Sequence, residues 1–193
     1  MNRIIVLLIA ALLPNGSPLF AQSHPEYIQF SPGPVKGALY KPDAGPAPHV
    51  AILIIHRTAN VLASPAARQL ARRGFMVLGV NPRSDNNEAA VNFEANALDI
   101  KSGVELLRKQ PGITRILLWG HPTLVTAMGA HYFIRDSEIH YEKSASRDKD
   151  FIVIEGATHG ISPCTACETT PGQYANSEKN FFDYVTRWVA ARF

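Results

Sequence analysis

Chemistry in this chain would be done by a few polar side chains at the ends of apolar runs. Cys164 and Cys167 are its only two cysteines, with two residues between them. That spacing suits a small disulfide loop, a redox pair or half of a zinc site. Zinc would need two further ligands, and only His159 lies close in sequence, so no metal is expected. A thioredoxin-type pair belongs at the start of a helix, whereas Pro171-Gly172 follow here. His159 itself comes just after the apolar run Phe151 to Ile154, between Thr158 and Gly160, and should project from a loop at a sheet edge. His56-Arg57-Thr58 end another apolar run in the same way. Asp136 and His131 are polar candidates further on, although Asp136 could equally cap a helix starting at Ser137-Glu138. Near Gly120-His121-Pro122 the only hydroxyl is Thr123, which opens an apolar run and has no turn to present it.

The elements that position these residues are legible as alternating strands and helices. Glu26 to Phe30 and Val35 to Tyr40 flank the turn-forming Ser31-Pro32-Gly33-Pro34 and read as a hairpin. Val50 to Ile55 is apolar at every position, as expected of a strand covered on both faces. Ser64-Pro65 start a helix that runs to Arg73 before Gly74, and Phe75 to Val80 is the next buried strand. Phe93, Ala97, Ile100, Val104 and Leu107 recur at helical spacing and predict one buried helix face. Strands follow at Arg115 to Trp119 and Phe151 to Ile154, and Phe181, Phe182, Val185, Trp188 and Val189 mark the core face of a last helix. Strand, helix, strand in this order gives an α/β class with a mostly parallel sheet.

One segment conflicts with that order. Thr123 to Met128 also reads as a buried strand, yet only Gly120, His121 and Pro122 separate it from Trp119. Parallel neighbours need a crossover of about a dozen residues or more. The two runs therefore pair antiparallel through a tight turn, form one bent extended stretch, or have lost the crossover between them.

Taken together, the Val50 to Ile55 strand with His56-Arg57-Thr58-Ala59-Asn60, the Phe75 to Val80 strand, the long helix and Ile116-Leu117-Leu118-Trp119-Gly120-His121 resemble the N-terminal half of an α/β-hydrolase. That family writes its nucleophile elbow as Gly-x-Ser-x-Gly. Gly120 and His121 match the opening of the motif, but Pro122 stands at the serine and Leu124 at the second glycine. Pro-Thr-Leu-Val and Ile152-Val153-Ile154-Glu155-Gly156-Ala157-Thr158-His159-Gly160 resemble the family's acid-bearing strand and its histidine loop. The resemblance implies a serine esterase plan with His159 as general base and Asp136 as the acid. Backbone N–H donors for an oxyanion would come from His56, Arg57 and Thr58. It also implies that the fold is truncated at the strand carrying the elbow, with serine, following helix and lid deleted.

The first residues carry a further expectation. Arg3 precedes ten apolar residues, Ile4 to Leu13, and Pro14-Asn15-Gly16 then break any helix before Leu19-Phe20-Ala21. This is the layout of a secretory signal peptide, too short for the roughly 20 residues of a membrane span. Residues 1–21 are thus expected to be a leader, and 22–193 a single exported domain with no lasting membrane anchor. Export to an oxidising compartment favours a disulfide between Cys164 and Cys167, stiffening the His159 loop. Without Arg3 the charge count is 18 Lys and Arg against 16 Asp and Glu, an excess of two. There is no basic run, and Arg68, Arg72 and Arg73 read as the solvated face of one helix, so nucleic acid is not an expected partner. The expected function is that of a carboxylic-ester hydrolase, inactive or impaired for want of its serine, with a small-molecule ester as substrate and no cofactor. The alternatives are an exported binding protein on the same scaffold and a thiol oxidoreductase using Cys164 and Cys167. The oligomeric state is not legible.

Overall fold

A computed structural model describes residues 24–30, 33, 35–84, 87–120, 125–127, 134–143, 147–158 and 160–193, with the backbone alone at 120, 125–127, 134, 136, 137 and 140. The expected leader lies outside the described residues. Among those described, no helix is long and apolar enough to cross a membrane.

Among the described residues, seven strands and four α-helices follow one another in the order the apolar runs predict. They are β1 (Glu26–Gln29), β2 (Lys36–Tyr40), β3 (Val50–Ile55), α1 (Pro65–Ala71), β4 (Met76–Asn81), α2 (Phe93–Arg108), β5 (Arg115–Gly120), β6 (Val125–Ala127), α3 (Ile134–Lys143), β7 (Ile152–Ile154) and α4 (Ser177–Ala190). The main sheet has the order β1-β2-β4-β3-β5. It is mixed: β1 and β2 form the expected antiparallel hairpin, β2 pairs antiparallel with β4, and β3 lies parallel to both β4 and β5. Helices flank it on both faces, which makes the class α/β.

Burial follows from that layering. Val50 to Ile54 are buried without alternation because the two sides of β3 face different cores. On one side Ile52 and Ile54 pack with Ala67, Leu70, Phe181 and Phe182 of α1 and α4. On the other, Ala51 and Leu53 pack with Leu107 and half-buried residues of α2. Trp119 of β5 meets Phe181 edge-on at 5.6 Å and so ties α4 to the sheet. Arg73, expected on a solvated face, instead pairs with Asp183 of α4 at 3.2 Å. The spacing of charges on one helix gives no notice of a second helix beside it.

The α2 face also turns out rotated from its sequence reading. Its buried residues are Asn96, Asp99, Gly103 and Leu107, while Phe93 is exposed and so is Ala97. The periodicity was sound, but polar residues occupy the inner edge near the helix start, where the site lies. α3 begins at Ile134, so Asp136 is its third residue and not its cap.

β6 pairs parallel with β7 in a second, two-stranded sheet. Among the described residues nothing pairs β6 with β5, so the antiparallel hairpin is not formed by them.

Candidate functional site

In open α/β sheets ligands bind beyond the carboxyl ends of the parallel strands. At those ends stand the loops after β3 and β4 and the start of α2. Gly79 of β4 lets the first of these pass, because a Cβ there would lie 2.7 Å from the carbonyl oxygen of Val61. The Val61 N–H then donates to Asn81 Oδ1 at 2.8 Å, and the hydroxyl of buried Tyr40 donates to the Leu62 carbonyl at 2.6 Å. Burial pushes the Tyr40 phenol above its ordinary pKa, so it stays a donor.

Pinned at its far end, the loop at residues 56–59 is held by side chains from three directions. The His56 ring accepts at Nδ1 from the N–H of Thr58 at 3.1 Å and of Ala59 at 2.8 Å. The Arg57 carbonyl accepts from Ser84 Oγ at 2.8 Å and from Asn96 Nδ2 at 3.4 Å. Because a trans peptide points its C=O and N–H opposite ways, Ser84 and Asn96 also aim the Thr58 N–H away from the core. Glu88 closes the outer side, accepting from the Thr58 hydroxyl at 2.8 Å and pairing with Arg57 Nε at 3.2 Å.

Beneath this lies a fully buried carboxylate. Asp99 accepts from the Arg83 backbone N–H at 3.0 Å and from its guanidinium Nε and Nη2 at 3.0 and 2.6 Å. A buried charge needs such a set of donors, and its hydrogen bonds and charge raise the Arg83 pKa above the ordinary value. The pair fixes the chain leaving β4, including Ser84, on the first turns of α2.

Of the residues singled out in the sequence, His56, Arg57 and Thr58 therefore form one ordered loop. Gly120 joins them, since its register partner on β3 is Ile55. His121, Pro122 and His159 lie outside the described residues, as does the Asp136 side chain. Cys164 and Cys167 are joined by a disulfide, with Cα atoms 5.3 Å apart, and close the 3-10 turn Thr165–Cys167. Among the described residues no group of three His, Cys, Asp or Glu is placed to hold a metal ion. Ser84, Glu88, Asn96 and Asp99 went unnoticed in the sequence. The usable signal was Asn96 and Asp99 at i, i+3, on the edge of the apolar stripe.

The segment around His159 is described on both sides. Thr158 N–H donates to the Ser162 carbonyl at 2.8 Å, and Ile161 N–H to the Thr158 carbonyl at 2.9 Å. A separate cleft of about 300 Å³ lies between β7 and the start of α4, lined by Glu155, Tyr174, Ser177 and Asn180 among others. None of the His56 loop lines it.

In chemical terms, the described part of the site is an ordered set of backbone N–H groups, and its two hydroxyls, Thr58 and Ser84, are engaged by Glu88 and the Arg57 carbonyl. Thr58 and Ala59 already give their protons to His56, so an oxyanion would have to compete with that ring.

No protein-family model and no curated protein matches the chain. Solved structures do share its architecture. A dienelactone hydrolase from Anabaena variabilis superposes with a TM-score of 0.62 at 13% identity, covering 88% of this chain and 97% of its own. An α/β serine hydrolase without a lid from Xanthomonas campestris gives 0.58 at 14% identity, covering 91% and 97%. An α/β serine hydrolase homologue from Coxiella burnetii gives 0.56 at 14%, covering 86% and 97%. With its mixed five-stranded sheet flanked by helices, the chain has an α/β-hydrolase-like fold.

Proposed function

We propose that this chain is an exported α/β-hydrolase of the serine-esterase type whose acyl-transfer step has been disabled by loss of the segment between β5 and β6. Ester hydrolysis on this plan needs a hydroxyl nucleophile, a histidine to take its proton and N–H donors for the oxyanion. The His56 loop supplies ordered N–H groups, and by resemblance His159 is the base and Asp136 the acid. Pro122, at the serine place, has neither a hydroxyl nor a backbone N–H to offer.

The observation that carries the reading is the exposure of apolar side chains on β5 and β7, the strands on either side of the short connection. Ile116 of β5 packs into the core beneath α2, while Leu117 and Trp119 pack toward α1 and α4. By strand alternation Leu118 shares the α2 side with Ile116, yet it is 61% exposed. On β7, Ile152 and Ile154 pack toward α4, and Val153 on the opposite side is 54% exposed. Among the described residues, apolar side chains on β5 and on β7, strands of two separate sheets, thus lie exposed on the sides away from α4. Only residues 121–124 connect β5 to β6, far short of the dozen or so a parallel crossover needs.

A fluorophosphonate probe tests this on the purified chain. We expect no covalent adduct by intact mass, and no turnover of a short-chain aryl ester above the buffer rate. Adduct formation at any residue would overturn the inactive reading. Re-reading the nucleotide sequence across codons 120 to 123 addresses the deletion separately: a serine elbow restored there would make the chain an ordinary esterase candidate.

A further inference from the structure

We propose that the Cys164–Cys167 disulfide is a redox latch that holds Ile161 in a strained backbone conformation, and that a dithiol reductant releases it. The inference stands whether or not His159 is catalytic.

Ile161 is the only non-glycine residue with positive φ among those described, at 71°. For a β-branched side chain that is a costly backbone state, kept only where neighbours over-determine it. Its side chain is 8% exposed and belongs to the core cluster with Phe181 and Phe182 of α4. The loop therefore has to bury Ile161 at the expense of its backbone.

Several contacts enforce this. Thr158 Oγ1 lies 2.8 Å from Ser162 Oγ, beside the two backbone hydrogen bonds already described. Ala157 and Pro163 form an isolated bridge, and the Cys164 N–H donates to the Gly156 carbonyl at 2.7 Å. Gly156, at φ 67°, lies so close to Tyr174 that a Cβ would fall 2.0 Å from its ring. Tyr174 is itself held by Glu168, which accepts from the N–H groups of Gly172 and Tyr174 at 3.0 and 3.2 Å. The disulfide sits between the two halves of this clamp. It fixes Cys164, whose N–H closes the strained loop, to Cys167, which leads into Glu168.

Release is a thiol–disulfide exchange. Cys164 is buried and Cys167 half-buried, so the reductant's thiolate attacks the Cys167 sulfur. The S–S bond breaks, a mixed disulfide forms on Cys167, and Cys164 leaves as a thiolate and takes up a proton. The second thiol of the reductant then displaces Cys167, also as a thiol, and the reductant departs as its cyclic disulfide. Two electrons and two protons pass to the cysteine pair. The 3-10 turn is then closed only by the Cys167 N–H donating to the Cys164 carbonyl at 3.0 Å, and with that weaker hold on Cys164 Ile161 can return to negative φ.

Amide hydrogen exchange on the full chain, read by NMR before and after dithiothreitol with thiol counting, tests the latch. Exchange of the Ile161 and Thr158 amides should quicken at least tenfold on reduction while Leu53 in β3 keeps its protection. The C164S/C167S double variant should match the reduced form without any reductant. Unchanged exchange at Ile161 and Thr158 in fully reduced protein would overturn the proposal. So would an equal loss of protection at Leu53, because the disulfide would then be a general staple.

Discussion

Strands β3 and β7 are both short apolar runs, Val50 to Ile55 and Ile152 to Ile154, but they meet different surroundings. β3 lies between two parallel neighbours with α1 and α4 on one side and α2 on the other, and five of its six residues are buried. β7 has one described neighbour, β6, and cover from α4 on one side, and none of its three residues is fully buried. Apolar sequence makes a strand available for burial; the number of layers around it decides whether burial happens. The same contrast runs along β5, where Trp119 packs against α4 and Leu118 next to it faces outward.

The sharpest way to break this comparison is to substitute one apolar side chain in each strand. Leu53→Ala removes a fully buried side chain and should cost about 3 kcal/mol, as large-to-small changes in a packed core do. Val153→Thr should stay within about 0.5 kcal/mol, the range of ordinary surface substitutions. Chemical denaturation of the two variants checks both, and similar losses would mean that β7 is as well covered as β3.

The second test concerns the polar floor of the site. Asp99→Asn leaves the Arg83 guanidinium without its carboxylate and should cost about 2 kcal/mol, the scale of a lost charge-assisted hydrogen-bond set. A neutral result by denaturation would show that Asp99 is not the anchor of the loop after β4. A smaller effect is expected from Ser84→Ala, about 1 kcal/mol for one buried hydrogen bond. Its specific sign should be faster amide exchange at Thr58, because the Arg57 carbonyl loses its better donor. Unaltered exchange there would leave the aim of the Thr58 N–H to His56 alone.

The smallest effect is in acid. Hydrogen bonds from Lys179 and then Arg73 hold Asp183 below its ordinary pKa, and a hydrogen bond from Arg192 does the same for Asp148. A depressed carboxylate contributes stability that is present above its unfolded pKa, about 4, and is lost as pH falls through the lower folded value. The melting temperature should therefore drop as pH falls below about 4, and less steeply in Asp183→Asn. Parallel pH profiles for the variant and the parent would remove Asp183 from the account.

Legibility in the sequence followed the range of the interactions. The positions and order of the strands were readable because apolar runs and turn residues are local signals, and only their ends shifted by a residue or so. The class followed from that order. The pairing of Cys164 with Cys167 matched expectation because three residues of separation leave little choice of geometry. By contrast, the buried edge of α2 was misplaced by roughly one residue, since Asn96 and Asp99 are buried by partners more than a dozen residues away. Ser84 gave no local sign at all; its partner, the Arg57 carbonyl, is 27 residues distant and carries no side-chain signature.

Period and turn chemistry are properties of the chain read in one dimension, and they settled an α/β order; the reading of Gly120-His121-Pro122 as an interrupted elbow rests on resemblance alone. Which apolar faces find cover, which backbone N–H groups are already engaged, and why Ile161 tolerates a positive φ were decided by contacts between segments far apart in sequence. Those contacts exist only once helices and sheet have packed, because burial and hydrogen-bond saturation are properties of neighbours in space.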